Sequence, residues 1–247
     1  GWDFITPLKQ QLDEIRVFLD EHPYMRVDFH PDHFVLLNTK EKDVFKMSLQ
    51  VLQMHHDLLT GMGIEPTHRC VLHVGGGYND KVLALERFIQ NWGLIPVHLQ
   101  RMIILENDDT TFHVEDTLYL CEKLDIPLVF DYHHHLVNHP ETDLREVWHR
   151  IVKTWGNSPL PVKVHISSPR AGTNPRAHAD HIELGMFWDF VEWTDGSTDR
   201  IDVMIEAKRK DEALFLLMKE IALTKQVEWQ NETSFIPVGS RSVQMPV

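Results

Sequence analysis

Six short apolar runs recur along the chain: Met25–His30 (MRVDFH), Cys70–His73 (CVLH), Met102–Glu106 (MIILE), Leu128–Asp131 (LVFD), Val162–His165 (VKVH) and Ile201–Glu206 (IDVMIE). Each is rich in Val, Ile, Leu or Phe and carries apolar residues on both faces, which suits parallel strands covered on both sides. Longer stretches with helical spacing follow them. Helices are predicted over Pro7–Glu21, Lys42–Gly61, Asp80–Trp92, Val114–Leu124, Leu144–Trp155, Ile182–Trp193 and Lys208–Gln226. The pattern is clearest in Lys42–Gly61, where Val44, Met47, Val51, Met54 and Leu58 form one stripe that Gly61 ends.

Alternating strands and helices predict an α/β fold with a parallel sheet. A closed barrel of this kind uses eight strand–helix units. Six are visible here, and the sequence opens within a helix. Six units fit either a TIM (β/α) barrel lacking its first two strands or an open crescent of fewer strands; the first is the expected fold, with residues 1–247 as one domain. Asn231–Val247 has no clear period and is expected to be an extended surface tail. Gly75-Gly76-Gly77 reads as a turn leaving a strand, since its spacing does not match a dinucleotide-binding glycine motif.

Composition narrows the chemistry. No apolar stretch approaches the roughly 20 residues that span a bilayer, and Gly1–Gln10 has no signal-peptide character. Cys70 and Cys121, the only cysteines, fall in a predicted strand and a predicted helix and read as core thiols in a reducing compartment. A net charge of −13 is unfavourable for binding phosphate, unless divalent cations reverse the field locally. Histidine is abundant: 17 residues against 24 Lys plus Arg. Metal ligation is the commonest role of neutral imidazole.

The histidines and carboxylates fall in a pattern. His30, His73, Glu106, Asp131, His165 and Glu206 close the six runs. In a (β/α) barrel, strand C-termini carry the reactive residues, so these six are expected to converge on one mouth as a polynuclear metal site. Taken singly, each also has a bland reading: a hydrogen-bonded strand-end His, or a Glu106 paired with an Arg. A buried carboxylate still needs a cation or a strong partner. His134 stands three residues past Asp131 and can bend back over the same mouth, with His133 and His135 as outer-shell or surface residues. Lys163 shares a strand face with His165 and must lose its charge, pair with a carboxylate or be carbamylated. His178 lies in an exposed Pro/Gly/Arg-rich loop, Ser168–His181, and Lys208-Arg209-Lys210 forms the most basic patch. Nitrogen and oxygen ligands without thiolate suit Mn²⁺, Zn²⁺ or Fe²⁺, and such paired-metal sites recur in phosphodiester hydrolases.

At this point the sequence resembles the UV-damage endonucleases, relatives of endonuclease IV within the xylose-isomerase-like barrels. The resemblance covers nearly the whole chain. It rests on Arg26–Asn38 (RVDFHPDHFVLLN), His73-Val74-Gly75-Gly76, Leu105–Asp109 (LENDD), Asp131–His134 (DYHH), Lys163–Ser167 (KVHIS) and Asp202–Lys208 (DVMIEAK). It implies a TIM barrel with up to three divalent ions, typically manganese, and incision immediately 5′ of pyrimidine dimers or 6-4 photoproducts, leaving a 3′-hydroxyl. By matching motif, His30, His73 and Glu106 hold one metal. Glu106 bridges to a second, held by Asp131, His165 and Glu206, and His134 and His178 serve a third. Glu106, Lys163 and His165 are the expected catalytic residues, with Lys163 at a position that the family carboxylates.

The resemblance also implies a wedge into the duplex, formed here by His33 and Phe34 where some relatives carry Gln and Tyr. In the plain alternative Phe34 opens a core segment, Phe34–Leu37. Phosphate contacts are expected from Arg170, Arg176, Lys208, Arg209 and Lys210. The implied partner is double-stranded DNA with UV lesions, met by a monomer in the cytoplasm (at the nucleoid in a prokaryote), with no membrane partner. Two departures stand out: the family's first two strands, with a further active-site His, have no counterpart here, and the charge is acidic. An abasic-site endonuclease, a sugar isomerase of the same barrel class and a non-catalytic metal-binding scaffold are the competing readings.

Overall fold

The structure, a computed structural model, describes residues 3–141, 143–172 and 174–238. It contains two compact units: Gly1–Glu106 with Tyr119–Leu128, and Asn107–Leu118 with Val129–Val247. Strand neighbours follow chain order in a five-stranded sheet, β1-β2-β3-β4-β5.

The first unit holds helices α1 (Ile5–Glu21) and α2 (Lys42–Gly61), strand β1 (Cys70–His73), helices α3 (Lys81–Trp92) and α4 (Val97–Met102), and strand β2 (Ile103–Glu106). β1 and β2 pair in parallel with Cys70 opposite Ile103 and His73 opposite Glu106. Both strands bury their apolar residues, among them Val71, Leu72, Ile104 and Leu105, and Phe88 and Leu99 complete the core. Helix α2 forms over the predicted residues, but it buries Ser48, Leu52 and Leu59, whereas Met47 and Met54 of the predicted stripe are exposed. Asp80 caps α3, its carboxylate accepting the Leu83 N–H at 3.0 Å.

The predicted first strand, Met25–His30, shrinks to one parallel bridge between Phe29 and Cys70. Two backbone hydrogen bonds make it: Phe29 N–H to Arg69 O at 2.7 Å and Val71 N–H to Phe29 O at 2.8 Å. Its neighbours are otherwise engaged. Asp28 takes Arg26 at 2.7 Å and Arg69 at 3.3 Å, and Pro31 has no N–H to extend the ladder.

Helix α5 (Val114–Leu124) and strand β3 (Leu128–Asp131) each contain a point where the chain passes from one unit to the other. The second unit continues with α6 (Tyr132–Val137), α7 (Leu144–Thr154), β4 (Val162–Ile166), α8 (Leu184–Thr194), β5 (Ile201–Ile205), α9 (Asp211–Thr224), and a β6–β7 hairpin (Val227–Trp229, Phe235–Pro237). β3, β4 and β5 pair in parallel, with Asp131 opposite His165 and Lys163 opposite Asp202. β4 is buried along its whole length, whereas Val203 and Met204 of β5 are exposed. Phe130, Trp148 and Phe190 form an aromatic cluster in the core, with the half-buried Trp193 ring 5.3 Å from that of Trp148.

Three sequence expectations are corrected here. Tyr132–Val137, a stretch over which no helix is predicted, is a helix capped by Asp131. The predicted helix start at Lys208 falls in a turn: Lys210 takes a left-handed φ of 49°, and α9 begins at Asp211. The expected tail contributes strand β7 at Phe235–Pro237, and residues 239–247 lie outside the described residues. Cys70 and Cys121 are both buried. Burial pushes the Cys121 pKa well up, so it remains a thiol. Among the described residues no helix is long and apolar enough to cross a membrane.

Candidate metal centre

Strand ends place the first ligand set. His73 and Glu106 are the last residues of β1 and β2 and lie opposite one another, and His30 directly follows the Phe29 bridge. His30 Nε2 stands 2.8 Å from Glu106 Oε2, and His73 Nε2 stands 4.0 Å from the same oxygen. One ligand atom from each residue fits within a mutual distance of 4.8 Å. Glu106 is 1% exposed, while the two imidazoles are partly open to solvent. A buried carboxylate facing two accessible imidazole nitrogens is a donor set for a divalent cation.

The second unit carries its own set. Asp131 ends β3, His165 is the penultimate residue of β4 and Glu206 directly follows β5. Their ligand atoms also lie within 4.8 Å of one another. His165 Nδ1 is 3.0 Å from Glu206 Oε1, and both Asp131 and His165 are buried. Asp131 has a structural duty as well, its Oδ1 accepting the His134 N–H at 2.6 Å as the α6 cap.

His134 and His178 are oriented through their second ring nitrogen. His134 Nδ1 lies 2.9 Å from the Asn107 carbonyl, and His178 Nδ1 lies 2.8 Å from the Glu206 carbonyl. A carbonyl only accepts, so each Nδ1 is the donor, which leaves each Nε2 as the nitrogen that can face a ligand. The two rings are 6.3 Å apart, and no cluster of three or more ligands forms around them among the described residues.

His133, expected at the surface or in an outer shell, is completely buried. Its Nε2 donates to Pro175 O at 2.7 Å, which leaves Nδ1 to accept from the Ser167 hydroxyl at 2.6 Å. Burial lowers its pKa, which keeps that neutral form. His133 thereby ties the end of β4 to the segment that carries His178, whose ring lies 5.2 Å away. No sequence signal separated His133 from its neighbours, because the rotation of α6 decides which of three consecutive histidines turns inward. His135 also turns inward, against Phe130, instead of lying at the surface. His178, expected in an exposed loop, is half-buried, held by the Pro169–His178 bridge.

Lys163 is 3% exposed in the middle of β4. Phe34 is 62% exposed, so the core-segment alternative for it fails. Its ring lies 4.1 Å from that of His33, which Asp32 holds through its carboxylate. Arg170, Arg176, Lys208, Arg209 and Lys210 are all exposed, with Arg209 paired to Glu212 at 3.5 Å.

Parallel strands that end in histidines and carboxylates define an α/β-barrel architecture of the endonuclease IV type. Endonuclease IV from Thermus thermophilus superposes with a TM-score of 0.61 at 16% identity, covering 87% of this chain and 82% of that one. That likeness is one of fold. The chain belongs to the UV-endonuclease UvdE family, whose profile matches residues 1–235. A UV DNA damage endonuclease of Halalkalibacterium halodurans is 50% identical over 223 residues, 90% of this chain and 69% of the relative. The crystal structure of SacUVDE superposes with a TM-score of 0.79 at 30% identity, covering 91% of this chain and 74% of that one.

Proposed function

We propose that the chain is a metal-dependent endonuclease that nicks DNA on the 5′ side of UV photoproducts. The observation that carries this reading is the His30–His73–Glu106 set, closed to within 4.8 Å at strand ends in a member of the UvdE family. Both cysteines are buried outside the ligand sets, so the donors are imidazole and carboxylate, suited to Mn²⁺ and also to Zn²⁺ or Fe²⁺. Bound divalent cations would supply Lewis-acid polarisation of the phosphodiester and activation of water.

The chain's own residues supply the rest. His30, His73 and Glu106 would hold one cation, and Asp131, His165 and Glu206 would hold another. Glu106 is the bridging carboxylate by family motif. His134 and His178, fixed by their carbonyl partners, would offer Nε2 to a third. Lys163 is buried one strand from Asp202, and carbamylation would turn a cation that two metals repel into an anion that they bind. Arg170, Arg176, Lys208, Arg209 and Lys210 contact phosphates, and His33 with Phe34 fills the gap left by an extruded lesion. In the overall hydrolysis a water oxygen adds to phosphorus and the bond to O3′ breaks, giving a 3′-hydroxyl and a 5′-phosphate.

Nicking of UV-irradiated supercoiled plasmid, with and without Mn²⁺ and with EDTA, tests the reading. Relaxation of irradiated plasmid alone, abolished by EDTA, is expected. Equal relaxation of an untreated plasmid, or of depurinated plasmid alone, would replace it with a general or an abasic-site nuclease.

A further inference from the structure

The loop that leaves β1 holds an arrangement that none of the roles above uses. Tyr78 stands five residues past His73, and Tyr78 and Asn79 both take left-handed backbone, with φ of 50° and 65°. Such residues cost energy and persist where the surroundings hold them in place. Here the surroundings are specific. Tyr78 packs on Gly76 so closely that a Cβ on that glycine would lie 3.0 Å from the ring. Gly76 is in turn fixed by the buried Asn38, whose Nδ2 donates to Gly76 O at 2.8 Å. Gly75, at φ +113°, comes so near Asn38 Oδ1 that a Cβ would meet it at 2.4 Å.

Two cations sit over the ring. Lys40 Nζ is 5.7 Å and Arg87 Cζ 5.3 Å from its centroid. Arg87 also donates to Asn38 O at 3.2 Å, so one asparagine fixes both the loop and a cation. Lys40 and Tyr78 are exposed and Arg87 is half-buried. Neither cation is ion-paired with a carboxylate among the described residues, in a chain with 37 acidic residues against 24 basic ones. Two cations that make no carboxylate ion pair among the described residues, over an aromatic five residues past His73, form a place for an anion that arrives from outside.

We propose that Lys40, Arg87 and Tyr78 form a phosphate-contact site for a nucleic-acid strand, additional to the basic residues already named. The proposal rests on the endonuclease reading. Cation–π packing holds the two charges in position before DNA arrives, which lowers the ordering cost of binding, and the tyrosine hydroxyl adds a donor. Phosphate contacts carry no sequence information, so the site binds damaged and undamaged duplex alike.

The test measures anisotropy of a labelled duplex carrying one thymine dimer, and of its undamaged counterpart, across a salt series. Lys40→Gln is expected to weaken both duplexes by a similar factor, on the order of three- to tenfold, and to reduce the salt slope by about one. Tyr78→Leu removes the platform and should lower the slope as well, whereas Tyr78→Phe keeps it. Thermal melts of each variant separate a binding loss from a folding loss. Should Tyr78→Leu fail to fold, the surface change Lys40→Gln decides alone. Unchanged slopes in a parent that binds DNA would overturn the site, leaving Tyr78 as a clamp on the loop. A parent that binds neither duplex would sink the endonuclease reading, and the site with it.

Discussion

His30 Nε2 and Glu106 Oε2 lie 2.8 Å apart, joining the loop after the Phe29 bridge to the end of β2. Both atoms would be ligands to a bound cation, His30 through its imidazole nitrogen and Glu106 through its carboxylate. Glu106→Gln keeps the shape and removes the anion. Elemental analysis of the purified variant should show fewer metals per chain, with affinity down on the order of 100-fold or more. Unchanged stoichiometry would contradict both the ligand and the bridging roles.

His133 should act as a positioning residue. His133→Phe leaves the Pro175 carbonyl and the Ser167 hydroxyl without their partner, at a cost of roughly 1–3 kcal/mol in a denaturant titration. The segment around Pro175 should become more open to limited proteolysis while the β4 core stays protected. His133→Gln can restore one of the two hydrogen bonds and should recover part of the loss. Unaltered proteolysis in the Phe variant would show that the segment is held by other means.

Acid should destabilise the fold through histidines buried in the neutral state. His135 is lowered from 6.5 to about 4, first by burial and then by His139 and His113. Burial also lowers His55, and burial with Arg26 lowers His68. The unfolded chain then binds more protons than the folded one, so stability rises with pH across this window. The contribution is present above pH 6.5 and is lost as pH falls toward about 4. Urea unfolding at about pH 7 and about pH 5 measures it. His68→Asn, chosen because Asn tolerates the left-handed φ of 58° there, should flatten the dependence. An equally steep dependence in that variant would remove His68 from the account.

Lys163 should carry an added carboxylate when metals are bound. Native intact-mass measurement in bicarbonate should show the mass of one CO₂, lost on acidification and absent in Lys163→Arg. A metal-loaded chain of unmodified mass would instead leave Lys163 as an ammonium beside Asp202, its neighbour in register.

Phe34→Ala should leave the unfolding free energy within about 0.5 kcal/mol of the parent, since the ring is largely exposed. Affinity for damaged duplex should fall by about 1–3 kcal/mol, the worth of one base–aromatic stack. A lower melting point with unchanged lesion binding would count against the wedge.

Strands buried on both faces were the most legible part of the sequence. Cys70–His73 and Leu128–Asp131 form over the same residues that their apolar runs mark. Met25–His30 failed because its polar residues engage partners that no pattern displays: Asp28 takes two arginines. Helix α4 was missed because six residues after Pro96 are too few to show a period. The ligand positions were readable from run ends, since a strand's last residue is fixed once the strand is. The inward turn of His133, the left-handed pair at Tyr78 and Asn79 and the cations over the Tyr78 ring depend on tertiary packing. Local spacing carries no trace of them.

The most direct test of the central claim uses one duplex with a single thymine dimer, labelled on the damaged strand, and metal-stripped protein. Addition of Mn²⁺ should produce one cut immediately 5′ of the dimer with a 3′-hydroxyl that a polymerase extends, and His73→Ala or EDTA should abolish it. A cut that persists in EDTA, or one that falls equally on undamaged duplex, would contradict the account.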